Sequence, residues 1–177
     1  MPHRPLPRLS LVLGGANSGK STFAEGLVLA SGLAPVYVAT AQVWDTEMGA
    51  KVAAHRKQRG PGWTTIEEPL AIAQVLAKAR QTDAILIDCA TLWLTNLILT
   101  EADLQGSEEG LMAAIAICPA PVVIVSNEVG MGIVPDNPLA RQFRTAQGRL
   151  NQRLAARSDL SIMVIAGLPM VLKGTLP

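Results

Sequence analysis

Apolar runs of strand length alternate with stretches of helical period along the 177 residues. The first run leads through a glycine-rich loop, Gly14-Gly15-Ala16-Asn17-Ser18-Gly19-Lys20-Ser21, directly into the first helical stretch. The alternation predicts crossover units on a mostly parallel central sheet, and the loop in that position predicts an α/β, three-layer P-loop NTPase fold. The near-continuous apolar character of the runs agrees, because strands covered on both faces lose the polar alternation of a half-exposed sheet.

Residues 1–8, MPHRPLPR, read as a Pro-rich lead-in without the apolar stretch of an export signal, and residues 9–177 as one domain. Leu9 to Leu13 is the strand before the loop, and Lys20 to Ala30 the helix that the loop opens. Pro35 to Thr40 is the second strand, followed by a helix over Thr46 to Arg59 and a short extended piece near Trp63 to Ile66. A helix over Leu70 to Arg80 leads to the apolar strand Ala84 to Asp88 and then to a helix from Ala90 to Leu99. Thr100 to Ser107 reads as a free surface loop before a helix over Glu108 to Ile117. The strand Pro121 to Ser126, a Gly- and Pro-rich turn over residues 129–138, a helix over Leu139 to Arg157 and a strand over Leu160 to Ala166 complete the order.

Composition bounds the function. Fifteen Lys plus Arg against fourteen Asp plus Glu leave a formal charge of +1, and aromatic residues make up 3% of the chain, which argues against a nucleic-acid partner. The longest apolar stretch, Leu111 to Val125, is interrupted by Pro119 and Pro121 and falls short of the ~20 residues of a spanning helix, so a soluble protein without a membrane span is expected. Cys89 and Cys118 lack CxxC spacing, and a chain of this length needs no disulfide to hold its core. They read as buried reduced thiols in a cytoplasmic protein.

The loop fits G-x-x-x-x-G-K-[ST] between a strand and a helix. Its glycines let backbone N–H groups face a polyphosphate, the helix adds the positive end of its dipole, and Lys20 adds a full charge. Ser21 would hold Mg²⁺. Asp88, at the end of an apolar strand, is the second acid that such a site needs, expected next to Ser21; the alternative is an Asp that caps the helix from Ala90. No NKxD motif is present, and the length leaves little room for the added modules of a motor, which favours a compact transferase.

His55 is followed by Arg56, Lys57, Gln58 and Arg59. One reading is a solvated helix end whose cations complement the dipole. The other is a nucleophile: neighbouring cations disfavour imidazolium, keep the ring neutral, and neutralise a triphosphate whose α-phosphorus the ring attacks.

These elements together resemble one family. GGANSGKS at 14–21, YVATAQ at 37–42, DTEM at 45–48, HRKQR at 55–59, WTTIEEP at 63–69, LIDCATLWLTN at 86–96, SNEVGMGIVP at 126–135 and RQFRTAQGRLNQRLA at 141–155 are similar to the bifunctional adenosylcobinamide kinase / adenosylcobinamide-phosphate guanylyltransferases of cobalamin biosynthesis. The resemblance implies phosphorylation of the aminopropanol hydroxyl of adenosylcobinamide by ATP or GTP. Transfer of GMP from GTP to that phosphate follows, with Mg²⁺ as the metal. It implies that His55 carries the guanylyl group, that Lys20 is catalytic with the cradle residues, and that Ala39, Thr40, Ala41, Arg56, Lys57, Gln58, Arg59, Glu67 and Asp88 contact nucleotide. A corrinoid substrate and a homotrimer are further implications.

Several residues carry two readings. Glu67, beside Pro69, is either a cap for the next helix or a guanine or ribose contact. Arg141, Arg144 and Arg149 lie at helical spacings as surface or interprotomer ion-pair formers, with a phosphate role as the alternative. The corner Asn127-Glu128-Val129-Gly130 follows a strand at the edge where parallel sheets place ligands. Trp44, Trp63 and Trp93 read as packing or interface residues. The chain departs from the family pattern in the eight residues before its first strand, in Met131 where many members carry an aromatic, and in a short segment around Thr100 to Glu109. Two other activities compete: a kinase of another small metabolite with His55 structural, and a nucleotide-dependent regulatory module without transfer chemistry.

Overall fold

The computed structural model describes residues 5–42 and 60–177. In chain order these form β1 (Leu9–Gly14), α1 (Lys20–Ala30), β2 (Ala34–Ala39), β3 (Thr64–Glu67), α2 (Ile72–Leu76), β4 (Asp83–Asp88), α3 (Ala90–Leu99), α4 (Leu104–Ile117), β5 (Val122–Asn127), α5 (Pro138–Arg157), β6 (Leu160–Ile165) and β7 (Leu168–Lys173). The expected helix over Thr46 to Arg59 lies outside the described residues.

One sheet holds all seven strands in the order β3-β2-β4-β5-β1-β6-β7. The first six are parallel, and β7 runs antiparallel beside β6. Side chains alternate across the pleat, so each strand feeds two cores. Leu9 and Leu11, Val36 and Val38, Ile85 and Ile87, and Val122 and Ile124 face a layer built from α2, α3, α4 and α5, with Trp93, Leu111, Leu150 and Leu154 inside it. Val12, Tyr37, Leu86, Val123, Val125, Ile162 and Val164 face α1 through Ala24, Leu27 and Val28. Helices on both faces give the three expected layers, and burial on both faces explains why these strands lack polar alternation. Leu6, ahead of β1, is buried in the second core.

Three expectations need correction. The segment over Thr100 to Ser107 is not a free loop: α4 begins at Leu104, capped at Asp103, and Leu104 packs on the first core. The helix expected over Leu70 to Arg80 shrinks to α2, because Glu68 caps its entry and Asp83 Oδ2 accepts from the Arg80 N–H at 2.9 Å to turn the chain into β4. The strand β7 was not expected. Ala166 and Gly167, at φ 51 and 79, make a tight turn that returns the chain along β6, and Pro169 is tolerated because β7 is the sheet's edge.

Among the described residues, no helix is long and apolar enough to cross a membrane. Arg153 donates to Glu108 Oε2 at 2.7 Å and ties α5 to α4, with the Glu108 side chain 10% exposed. Removing one partner of such a pair strands the other in a poorly hydrated place. Arg153→Ala is therefore expected to lower unfolding stability by about 2 kcal/mol, read from the urea midpoint at an unchanged denaturant slope.

Candidate active site

The parallel strands end along one edge, and the loop after β1 forms its centre. Asn17 and Gly19 take left-handed backbone at φ 53 and 89, a conformation that glycine adopts freely. Lys20 Nζ donates to the Gly15 carbonyl at 3.0 Å, folding the side chain back over the loop. Asn17, Ser18, Gly19, Lys20, Ser21 and Thr22 line a cavity of about 260 Å³ in front of it. A Cβ on Gly14 would collide with the Ser18 hydroxyl and lie 2.8 Å from the Val164 carbonyl, so glycine is required there. The β6-to-β7 turn braces the loop from behind: the Gly167 N–H donates to the Ser18 carbonyl at 2.8 Å.

Asp88 ends β4, the next strand but one from β1. Strand β5 intervenes, so about two strand spacings of ~4.8 Å separate the axes of β4 and β1. Asp88 does not cap α3. Cys89 is the N-cap, with its Sγ accepting from the Leu92 N–H at 3.5 Å.

A buried clamp fixes this corner. Thr40, with none of its surface exposed, donates its hydroxyl to the Cys89 carbonyl at 2.8 Å and accepts from the Cys89 N–H at 2.7 Å. The Thr40 N–H donates to the Asp88 carbonyl at 3.2 Å. Asn96 Nδ2 reaches from α3 to the carbonyls of Thr40 and Pro69, at 2.8 and 3.0 Å, and Trp93 Nε1 donates to the Leu70 carbonyl at 2.8 Å. Thr40 thus shapes the site from beneath, while Ala39 and Ala41 are half-buried above it.

Glu67 ends β3 in the same row as Ala39 and Asp88 and is exposed. Its neighbour takes the capping role: Glu68 Oε1 accepts from the N–H groups of Leu70 and Ala71, at 3.0 and 2.8 Å. Glu67 is left facing solvent at the β3 end of the site. On the other side, Arg141 Nη1 donates to the carbonyls of Pro135 and Asp136, and Arg144 Nη2 to that of Gly130, so these arginines hold the loop after β5 against α5. Arg149 lines the groove of about 480 Å³ between them. Trp93 is a core residue, and Trp63 packs edge-on against Tyr37 with ring centroids 6.1 Å apart. Trp44, His55, Arg56, Lys57, Gln58 and Arg59 lie outside the described residues.

Comparison with known proteins adds the family. The family model described as cobinamide kinase / cobinamide phosphate guanyltransferase matches residues 10–172. A bifunctional adenosylcobalamin biosynthesis protein of Pseudomonas aeruginosa is 47% identical over 167 residues, covering 93% of this chain and 96% of its own. The corresponding protein of Escherichia coli is 40% identical over 179 residues, covering 92% and 98%.

The chain belongs to the cobinamide kinase / cobinamide phosphate guanyltransferase family.

It is thus an enzyme of a bifunctional family in cobalamin biosynthesis, as its motifs led one to expect. The fold has wider company. The structure of an ATPase from the type III secretion system of pathogenic bacteria superposes with a TM-score of 0.58 at 11% identity, covering 94% of this chain and 57% of its own. At that identity the likeness speaks for the fold alone.

Burial first, and then the charge of Asp88, push the Cys89 thiol up to about 12, and burial raises Cys118 as well. The thiolate is the reactive form, and at pH 8 both groups sit far on the thiol side. Neither cysteine is expected to react with a soluble thiol reagent in the native protein, and both are expected to react in denaturant, as counted by intact mass. Thr40→Val keeps the shape and removes both bonds to Cys89. The variant is expected to lose about 2 kcal/mol of stability in urea unfolding, because it leaves the buried Cys89 N–H unpaired, while the Cys89 carbonyl keeps the Trp93 N–H at 3.1 Å.

Proposed function

We propose that this chain phosphorylates the aminopropanol hydroxyl of adenosylcobinamide with ATP or GTP and then moves GMP from GTP onto the new phosphate by way of His55. The observation that carries the reading is the phosphate cradle with Lys20 folded over it, on the same sheet edge as Glu67 in a chain of this family. Four strand spacings of ~4.8 Å lie between β3 and β1, so an acid for a base or ribose and a cradle for phosphates stand at opposite ends of one edge.

In the guanylyl half, a ring nitrogen of His55 attacks the α-phosphorus of GTP, a P–N bond forms, and the bond to the bridging oxygen breaks to release pyrophosphate. An oxygen of adenosylcobinamide phosphate then attacks the same phosphorus, the P–N bond breaks, and His55 regains its free ring. Arg56, Lys57, Gln58 and Arg59 neutralise the phosphates during both steps, and Glu67 reads guanine or ribose. Ala39 and Ala41 border the nucleotide, and Thr40 holds the corner beneath it.

Mg²⁺ fits the donors present. Among the described residues no group of three or more His, Cys, Asp or Glu is built for a metal, which suits a hard cation that keeps its waters and phosphate oxygens and takes only one or two protein ligands. Ser21 and Asp88 would hold it, and when bound it neutralises phosphate charge. The chain works as a homotrimer in the cytoplasm. Exposed apolar side chains on β7, such as Leu168 at 72%, and on the loop after β5, such as Ile133 at 97%, support assembly. Two unpaired, buried cysteines support a reducing compartment.

Intact-protein mass after incubation with GTP and Mg²⁺ tests this reading. A GMP-sized increment, lost in acid, is expected on the unsubstituted chain and not on His55→Ala. Absence of the increment from both, with GTP binding demonstrated, would remove the covalent step.

A further inference from the structure

Much of the buried polar chemistry in this molecule goes into holding the backbone of Asn127, while its Oδ1 has no hydrogen-bond partner among the described residues. The Asn127 N–H donates to Thr91 Oγ1 at 2.7 Å, and its carbonyl accepts from Asn151 Nδ2 at 3.0 Å. The following N–H, that of Glu128, donates to the Gly14 carbonyl at 3.1 Å. Asn151 is fixed in turn: its Oδ1 accepts from Ser126 Oγ at 2.6 Å and from Gln147 Nε2 at 3.0 Å. Asn127 pairs in register with Gly14, the first residue of the cradle, and ends the strand that separates the cradle from Asp88. Its Oδ1 is enclosed and accepts no hydrogen bond among the described residues.

A buried amide oxygen in a folded protein has a donor, and where the protein supplies none, an ordered water or a ligand does. The phosphates of a nucleotide in the cradle offer only acceptors to this oxygen. The acceptor alcohol of a kinase reaction offers an O–H. We propose that Asn127 is a catalytic residue of the phosphoryl-transfer step, whose Oδ1 accepts the hydrogen bond of the substrate alcohol and so aims the alcohol oxygen at the γ-phosphorus. This rests on the kinase activity stated above and adds the group that orients its nucleophile. The new bond joins the alcohol oxygen to the γ-phosphorus, the bond from that phosphorus to the bridging oxygen breaks, and the nucleoside diphosphate departs with the electron pair. A carboxamide takes no proton, so the alcohol proton passes to solvent as the new ester forms. The contribution of Asn127 is orientation.

Steady-state phosphorylation of adenosylcobinamide by ATP, measured for the unsubstituted chain, Asn127→Ala and Asn127→Asp, tests the assignment, with the thermal midpoint of each. Asn127→Ala is expected to lower kcat by about 10- to 100-fold, to leave the KM for ATP within about twofold, and to leave Tm unmoved, since Oδ1 has no hydrogen-bond partner among the described residues to lose. Asn127→Asp keeps an acceptor oxygen in place and is expected to be more active than Asn127→Ala. An Asn127→Ala variant at full kcat would overturn the assignment, as would a loss accompanied by a lower Tm, or an Asp variant less active than the Ala variant. No phosphorylation by the unsubstituted chain would overturn the kinase reading itself, and that result is seen before any variant is compared.

Discussion

Strand β5 lies between the strand that opens into the phosphate loop and the strand that ends in Asp88, and the geometry of the whole edge follows from that pairing. The ladder from Leu9 opposite Val122 to Gly14 opposite Asn127 sets how far β5 projects beside the loop. The ladder from Ile85 opposite Val122 to Asp88 opposite Val125 sets where Asp88 stops short of it. Asn127 therefore extends two residues beyond the row that contains Asp88, Ala39 and Glu67. The edge is stepped, with the cradle and Asn127 on the high side and the acids on the low side.

Apolar burial alone cannot set such a step, because it is non-directional and rewards any arrangement that removes the same area from water. Hydrogen bonds with fixed partners set it. Thr40 grips both backbone groups of Cys89, Asn96 ties Thr40 to the carbonyl of Pro69, and the Ser126, Gln147 and Asn151 side chains lock the end of β5 to α5. Each group is buried, so losing any partner leaves a costly unpaired atom rather than a hydrated one. The Gly167 turn adds a further hydrogen bond to the phosphate loop from the end of the neighbouring strand β6. The molecule thus uses two kinds of interaction for two purposes: apolar faces for compaction, and a few buried polar contacts for the relative height of the strand ends.

Much of the fold was legible because its signals are local. Helices α1 and α3 begin and end where their sequence pattern places them, one opened by the glycine loop and the other following a strand end. Strand β7 was harder to see, because Pro169 reads as a breaker inside its short apolar run, LPMVLK, and two residues of turn leave little room to tell it from the end of β6. The short α2 was masked by a helical pattern that runs past its end, where the Asp83 carboxylate captures the Arg80 N–H instead. Glu67 reads as a candidate cap in the sequence, and its neighbour Glu68 is passed over. Only the position of the β3 terminus decides that Glu68 turns onto α2 and Glu67 does not.

By itself, the sequence determined the α/β class, the phosphate loop and the identity of the family, because each rests on residues that are neighbours in the chain or on motifs that recur in order. Tertiary structure decided that β5 lies between the strand of Asp88 and the strand of the cradle, that Thr40 is a buried clamp, and that the Asn127 Oδ1, on the residue paired with Gly14, has no partner among the described residues. The physical reason is that strand order and register are set by hydrogen bonds between segments far apart in sequence, and a residue's role at the sheet's edge depends on which strand ends beside it.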